Sequence, residues 1–344
     1  MVRGTKQVIA PISGITAPVK ETDIDYLLNL GKKIYETTKN PADVTINNLE
    51  NLLDKRLNHA PLYAEYSKKK EELDLEYNLN IPLMALFRAD VIGQPIEEHP
   101  LIKARAIYKK FQPSRHDWQR FTTLPIQLGI KECELLGIIL ADQSETEKPW
   151  VILYGKGKNA TYDEFYEEIV SPRIKETFNL PAPVIYPKHT GKLPNSKGEL
   201  KTYEYTEPKI LLCSSALRTW LNYDLGFPYA SKVAKNLSEK YQKLAFAEGY
   251  VAAKGLVYPN YNDRILMWDS KEKLQTIANI LKSFAIRPAG PHNKTITSAL
   301  CKHEACCMNI FGPNLIGLKL IHPMHKEVLL HNADDIVITP YRAA

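Results

Sequence analysis

The spacing of apolar residues changes character near Thr123, and that change restricts the chain to a fold mixing helices with strands. Upstream, apolar residues recur at helical intervals. Ile24, Leu27, Leu28 and Ile34 share a face behind the capping sequence Thr22-Asp-Ile-Asp25, which predicts a helix over 23–38. Pro41 closes it, Thr45 caps a second helix through Ile46, Leu49, Leu52 and Leu53, and the charged run from Tyr63 to Tyr77 reads as a third.

Downstream, KECELLGIILAD and KPWVILYGKG are short apolar runs separated by the polar QSETE, the pattern of a β-hairpin. Thr161-Tyr-Asp-Glu164 is a capping box for a helix through Phe165 and Ile169 that Pro172 limits. Strand-like PAPVIYP and TYEYTEPKILLCSS flank the loop KHTGKLPNSKGEL. From Ser231 helical spacing returns at Val233, Leu237, Tyr241 and Leu244, with Gly255 as a stop. A capping box at Asp269–Glu272 opens the next helix, and CKHEACC is placed on another. LIGLKLIH and EVLLHN, joined by PMHK, read as a closing hairpin. The expected class is α+β: a helical part over 1–120, a mixed α/β segment over 121–215, and a helical part over 216–344 with a C-terminal β-hairpin.

With 344 residues, the chain is long enough to bury a sizeable core. No apolar run approaches the roughly 20 residues that span a bilayer, and the start lacks the apolar stretch of a secretory signal, so no membrane partner is expected. Five cysteines, an odd number in a long chain, read as reduced thiols in an intracellular compartment, cytoplasmic or within a nucleoprotein particle. The net charge of +6 permits an anionic partner, and its distribution shows where one would sit.

The segment KARAIYKKFQPSRHDWQRF sets Lys103, Arg105, Lys109, Lys110, Arg115 and Arg120 against one acid, Asp117, and interleaves Tyr108, Phe111, Trp118 and Phe121. Cations that neutralise phosphates beside rings that stack on bases are what a single-strand groove requires. The bland alternative is a solvated basic face with its rings turned inward. A second basic element contains Lys188, Lys192 and Lys197, with Gly191 and Gly198 allowing close approach to an anion.

The tail concentrates metal-ligand chemistry, with Cys301, His303, Cys306 and Cys307 followed by His322, His325 and His331. On a helix, His303, Cys306 and Cys307 share an arc that Cys301 leaves. His303, Cys306, His322 and His325 then form a candidate metal set, with zinc the ion its nitrogen and sulfur donors would take, although the spacing matches no common zinc pattern. A sulfur-lined piece of core is the alternative. Phosphate-loop, nucleophile-elbow and H-E-x-x-H motifs are absent. Glu199 and Lys201, with Asp163 or Glu164 upstream, offer a weak E-x-K match to a metal-dependent nuclease. The expected function is therefore a non-enzymatic protein that binds single-stranded RNA or DNA, of the kind that assembles as a nucleocapsid or ribonucleoprotein subunit and so forms homo-oligomers. A metal-dependent nuclease or hydrolase is the alternative, and a structural or partner-binding protein the third reading.

Overall fold

The computed structural model describes residues 23–54, 56–144, 150–155, 163–194, 200–257, 264–297, 302–315, 317–323 and 325. The chain forms two compact units, one of residues 1–126 with 214–219 and one of 127–213 with 220–344. The class is α+β, as the change of apolar spacing predicts.

In the first unit, α1 (Ile24–Thr38) opens at Asp23, whose carboxylate accepts from the backbone N–H of Asp25. In α2 (Ile46–Leu53) the Thr45 hydroxyl accepts from Asn48 N–H, which satisfies one of the donors every helix start leaves open. α3 (Ala60–Tyr77), α4 (Leu83–Ile92), α5 (Pro100–Ile107) and α6 (Arg115–Arg120) complete the bundle. Its core includes Leu27, Leu30, Ile34, Leu49, Tyr66, Phe87, Phe111 and Trp118. Asp117 pins the short returning segment: its carboxylate accepts from the Ser214 hydroxyl at 2.5 Å and from the N–H groups of Ser215 and Ala216, each at 3.1 Å.

The second unit is built on two helices, α7 (Ile130–Asp142) and the helix over Lys240–Lys254. KECELLGIILAD is thus a helix and not the strand its composition suggests. Every residue from Cys133 to Asp142 is buried, Glu134 and Asp142 included, so the helix is enclosed on all sides and carries no amphipathic stripe to betray it. β1 (Gln143–Ser144) follows at once and pairs with β2 (Trp150–Tyr154). A π-helical turn over Phe165–Val170 leads into α8 (Ser171–Phe178), with Pro172 in its first turn. β3 (Val184–Ile185) and β6 (Lys209–Cys213) complete an antiparallel sheet of order β1-β2-β6-β3. Between them, the expected long loop is an antiparallel ribbon in which β4 (Lys188–Pro194) pairs with β5 (Leu200–Thr206) along seven residues.

The chain continues through α9 (Ser215–Thr219), in the first unit, and α10 (Ala230–Asn236) to α11 (Lys240–Lys254). A second sheet, of order β7-β9-β8, is formed by β7 (Arg264–Asp269), β8 (Ala289–Thr297) and β9 (Lys302–Phe311). α12 (Lys271–Lys282) packs Leu274, Ile277 and Leu281 beneath it. From Lys302 onward CKHEACC lies in β9, the central strand, and not on a helix; Cys301 is outside the described residues. Residues 317–321 of the expected hairpin are not in a strand, while EVLLHN lies outside the described residues. Among the described residues no helix is long and apolar enough to cross a membrane.

Candidate functional site at the ends of two paired helices

α7 and α11 touch backbone to backbone. A methyl group added at Gly137 would come within 2.0 Å of the Phe246 carbonyl oxygen, and one at Gly249 within 1.9 Å of the Glu134 carbonyl oxygen. Glycine is required at both points because nothing larger leaves the helices this close. The contact brings the C-terminal ends of both helices together, and polar side chains collect there.

Asp142, the last residue of α7, is 5% exposed and accepts a hydrogen bond from the Tyr166 hydroxyl at 2.6 Å. Lys254, the last residue of α11, is 7% exposed. Its ammonium donates to the Ala141 carbonyl at 2.7 Å and pairs with Asp269 at 3.1 Å. Asp269, at the end of β7, also accepts from the Tyr250 hydroxyl at 2.7 Å. Lys273 reaches the Leu140 carbonyl at 3.4 Å. Two ammonium groups therefore meet the last carbonyls of α7, where the helix dipole is negative and the carbonyls lack partners within the helix.

Burial would by itself raise the Asp269 carboxyl, but the charges of Lys254 and Lys273 and the donors Tyr250 and Ser270 hold it below the usual carboxylate range. The Tyr250 hydroxyl is driven well above its ordinary value by burial and by the Asp269 charge, so it stays protonated and donates. The cluster thus supplies a positioned acid at the end of one helix and a positioned cation at the end of the other.

A pair of histidines backs the site. The His325 ring nitrogen Nε2 lies 3.1 Å from the carbonyl of Gly255, the residue after Lys254. His322 stacks on His325 with 5.0 Å between ring centres and meets Phe165 at 4.6 Å. Burial lowers His322 to about 3 and His325 to about 4, so both are neutral near pH 7. Among the described residues no group of three or more His, Cys, Asp or Glu side chains is gathered to hold a metal. Cys306 is buried in β9, opposite Asp269 and Asn293 in register, and His303 lies on the same strand.

The basic segment of the first unit separates into framework and surface. Arg105 is buried and donates to the carbonyls of Tyr77, Asn78 and Phe111 at 2.8, 2.8 and 3.1 Å, closing the end of α3. Phe111 and Trp118 are in the core, 0% and 1% exposed, which leaves no face for a base. Tyr108 donates to the Pro125 carbonyl at 2.8 Å, Lys109 caps the Arg105 and Ala106 carbonyls, and Lys103 pairs with Glu98. Lys110 and Arg115 are exposed and Arg120 is half-buried. Of the second basic element, Lys188 is exposed at the start of β4, Lys192 lies on the same strand, and Lys197 falls outside the described residues.

Sequence reasoning passed over Asp142, Lys254, Asp269, Tyr166 and Tyr250. A signal was present: G-I-I-L-A-D at 137–142 and G-Y-V-A-A-K at 249–254 each place a charged residue five positions after a glycine within a helix. An isolated helical glycine costs about 1 kcal/mol against alanine and so signals a packing reason.

No protein-family model matches the sequence, and no curated protein matches it. Among solved structures, the chain is similar to I-DmoI in complex with DNA and Mn, at 15% identity and a TM-score of 0.35, over 58% of this chain and 98% of that one. It is also similar to the homing endonuclease I-WcaI bound to its DNA recognition sequence, at 14% identity and a TM-score of 0.34, over 59% of this chain and 87% of that one. Agreement this low carries no inference about the chain.

Proposed function

We propose that the protein binds nucleic acid, and that it does so through the sheets and ribbon of the second unit. The observation that carries this reading is a repeated device on the two sheets. Lys209 lies over the Tyr154 ring at 4.9 Å, and Arg264 lies over the Phe311 ring at 5.1 Å; each couple sits on paired neighbouring strands in register. All four residues are half-exposed and alternate along their strands with buried partners such as Ile210 and Ile265. A cation held over a ring sets positive charge beside a flat apolar face, the pairing that contacts to phosphate and base use.

The β4–β5 ribbon adds Lys188, Lys192 and Lys201 against Glu204. Seven residue pairs at about 3.3 Å per residue give a ribbon more than 20 Å long, and a two-stranded ribbon fits the major groove of a duplex. Burial of Phe111 and Trp118 favours a duplex over the stacked single strand first expected. Gel-shift titration with duplex and single-stranded oligonucleotides of one sequence tests this; equal, salt-insensitive or absent binding would reject it.

The helix-end cluster supports a second reading, a metal-dependent nuclease. Asp142 would ligate a Mg²⁺ ion whose other positions are filled by water and phosphate oxygens, as is usual for that ion. Asp269 is neutralised by Lys254, and the lysine would face the charge developing on phosphate. Cleavage of a duplex containing the bound sequence, in Mg²⁺ or Mn²⁺ and abolished by Asp142→Asn, is the expected result. Binding without cleavage in either ion leaves the non-enzymatic binder.

A further inference from the structure

We propose that a cleft among α2, α3, α4 and α6 of the first unit binds a nucleoside monophosphate, either free or as the end of a nucleic-acid strand. The cleft holds about 540 Å³, within the range of small-molecule sites. Its lining divides by chemistry: Arg115, Lys70 and His59 supply nitrogen donors, Tyr63 and Met84 supply ring and thioether surface, and Glu71 is the single carboxylate among the described lining residues. Arg115 and Lys70 suit the phosphate, Tyr63 and Met84 the flat base, and Glu71 can accept from a ribose hydroxyl.

A second observation points to an anion. Arg88 is only 4% exposed, donates from Nε to the Val44 carbonyl at 2.8 Å, and has no carboxylate ion partner among the described residues. Burial and the neighbouring charge of Arg115 together hold its guanidinium down at about 10. Of these two mutually repelling guanidinium groups, Arg115 lines the cleft, beside Lys70, which is shared with Asp74. A phosphate held at Arg115 would offset the repulsion between the two guanidinium groups. This site stands apart from the sheet surface proposed above and does not depend on it.

Calorimetric titration of the full chain with AMP, GMP, adenosine and inorganic phosphate tests the inference, alongside a 5′-phosphorylated oligonucleotide and its unphosphorylated twin. Saturable AMP or GMP binding is expected, with adenosine and inorganic phosphate each weaker and with about a tenfold or greater loss in Arg115→Ala. Arg115 is exposed, so that variant should fold; Ser67→Trp, on the cleft wall, should block the site as a second variant. A free nucleotide is the ligand if AMP binds as tightly as the phosphorylated oligonucleotide, and a strand end if the oligonucleotide binds tighter and needs its 5′-phosphate. No saturable binding to any of these, binding unchanged in both folded variants, or inorganic phosphate binding as tightly as AMP would overturn the proposal. Duplex affinity in Arg115→Ala should stay at the wild-type value, which separates failure of this site from failure of the sheet surface.

Discussion

Lys254 and Asp269 form an ion pair at 3.1 Å in which both side chains are largely buried. The lysine simultaneously caps α7 through Ala141, so one ammonium ties together two helices and a strand. Lys254→Met keeps the stem but leaves Asp269 buried without its main cation, and should cost about 3–5 kcal/mol in urea unfolding. Lys254→Met with Asp269→Leu should recover most of that loss. The Asp269 carboxyl sits below its usual range when folded, so the pair's contribution is complete above that range and is lost as pH falls through the lowered folded value.

The helix pair makes a separate prediction. Gly137→Ala and Gly249→Ala each drive a methyl group into a carbonyl oxygen at about 2 Å, which no side-chain movement relieves. Each should destabilise the second unit by at least the ~1–3 kcal/mol typical of overpacking, read as a lowered midpoint in thermal or urea unfolding. Wild-type stability in either would mean that the helices do not approach this closely.

Three buried histidines set an acid limit. Burial holds His322 at about 3, and His99 and His325 at about 4, against an unfolded value near 6.5. The unfolded chain therefore takes up protons first as pH falls. Their contribution is complete above pH ~6.5 and is lost progressively toward the lowered folded values. Urea midpoints measured from pH 7.5 down to 4.5 should fall, and His325→Gln should flatten the slope.

Arg105 behaves as framework. Arg105→Ala removes three hydrogen bonds to carbonyls and should cost about 2–4 kcal/mol of stability in the first unit. Where the variant remains folded, the salt dependence of nucleic-acid binding should match that of the wild type. A reduced salt slope would instead make Arg105 a phosphate contact.

Local chemistry made much of the first unit legible. Thr45 caps its helix where its neighbours predict, because a cap depends on residues within one turn, while the first helix is capped by Asp23, one residue after the expected Thr22. The paired helix α7 was illegible for the opposite reason: burial on all sides erases the polar stripe, and a short, continuous apolar run reads equally as a strand. CKHEACC misleads in the same way, since in a central strand Cys306, Cys307, Met308 and Ile310 are all buried and no alternation survives. The candidate site joins Lys254 to Ala141, 113 residues away, and to Asp269 on the following strand, contacts that no local spacing encodes. The basic run at 103–121 shows the limit of composition, because charge and ring content do not reveal that Arg105, Phe111 and Trp118 face inward.

The central claim is that cations on the second unit's sheets and ribbon contact phosphate, and the salt dependence of duplex binding measures it directly. Fluorescence anisotropy across a series of NaCl concentrations should give a log–log slope that Lys188→Ala, Lys209→Ala and Arg264→Ala each reduce by about 0.9, the value for one phosphate contact on B-form DNA. A slope near zero in the wild type, or one unchanged in the triple variant, would contradict the account.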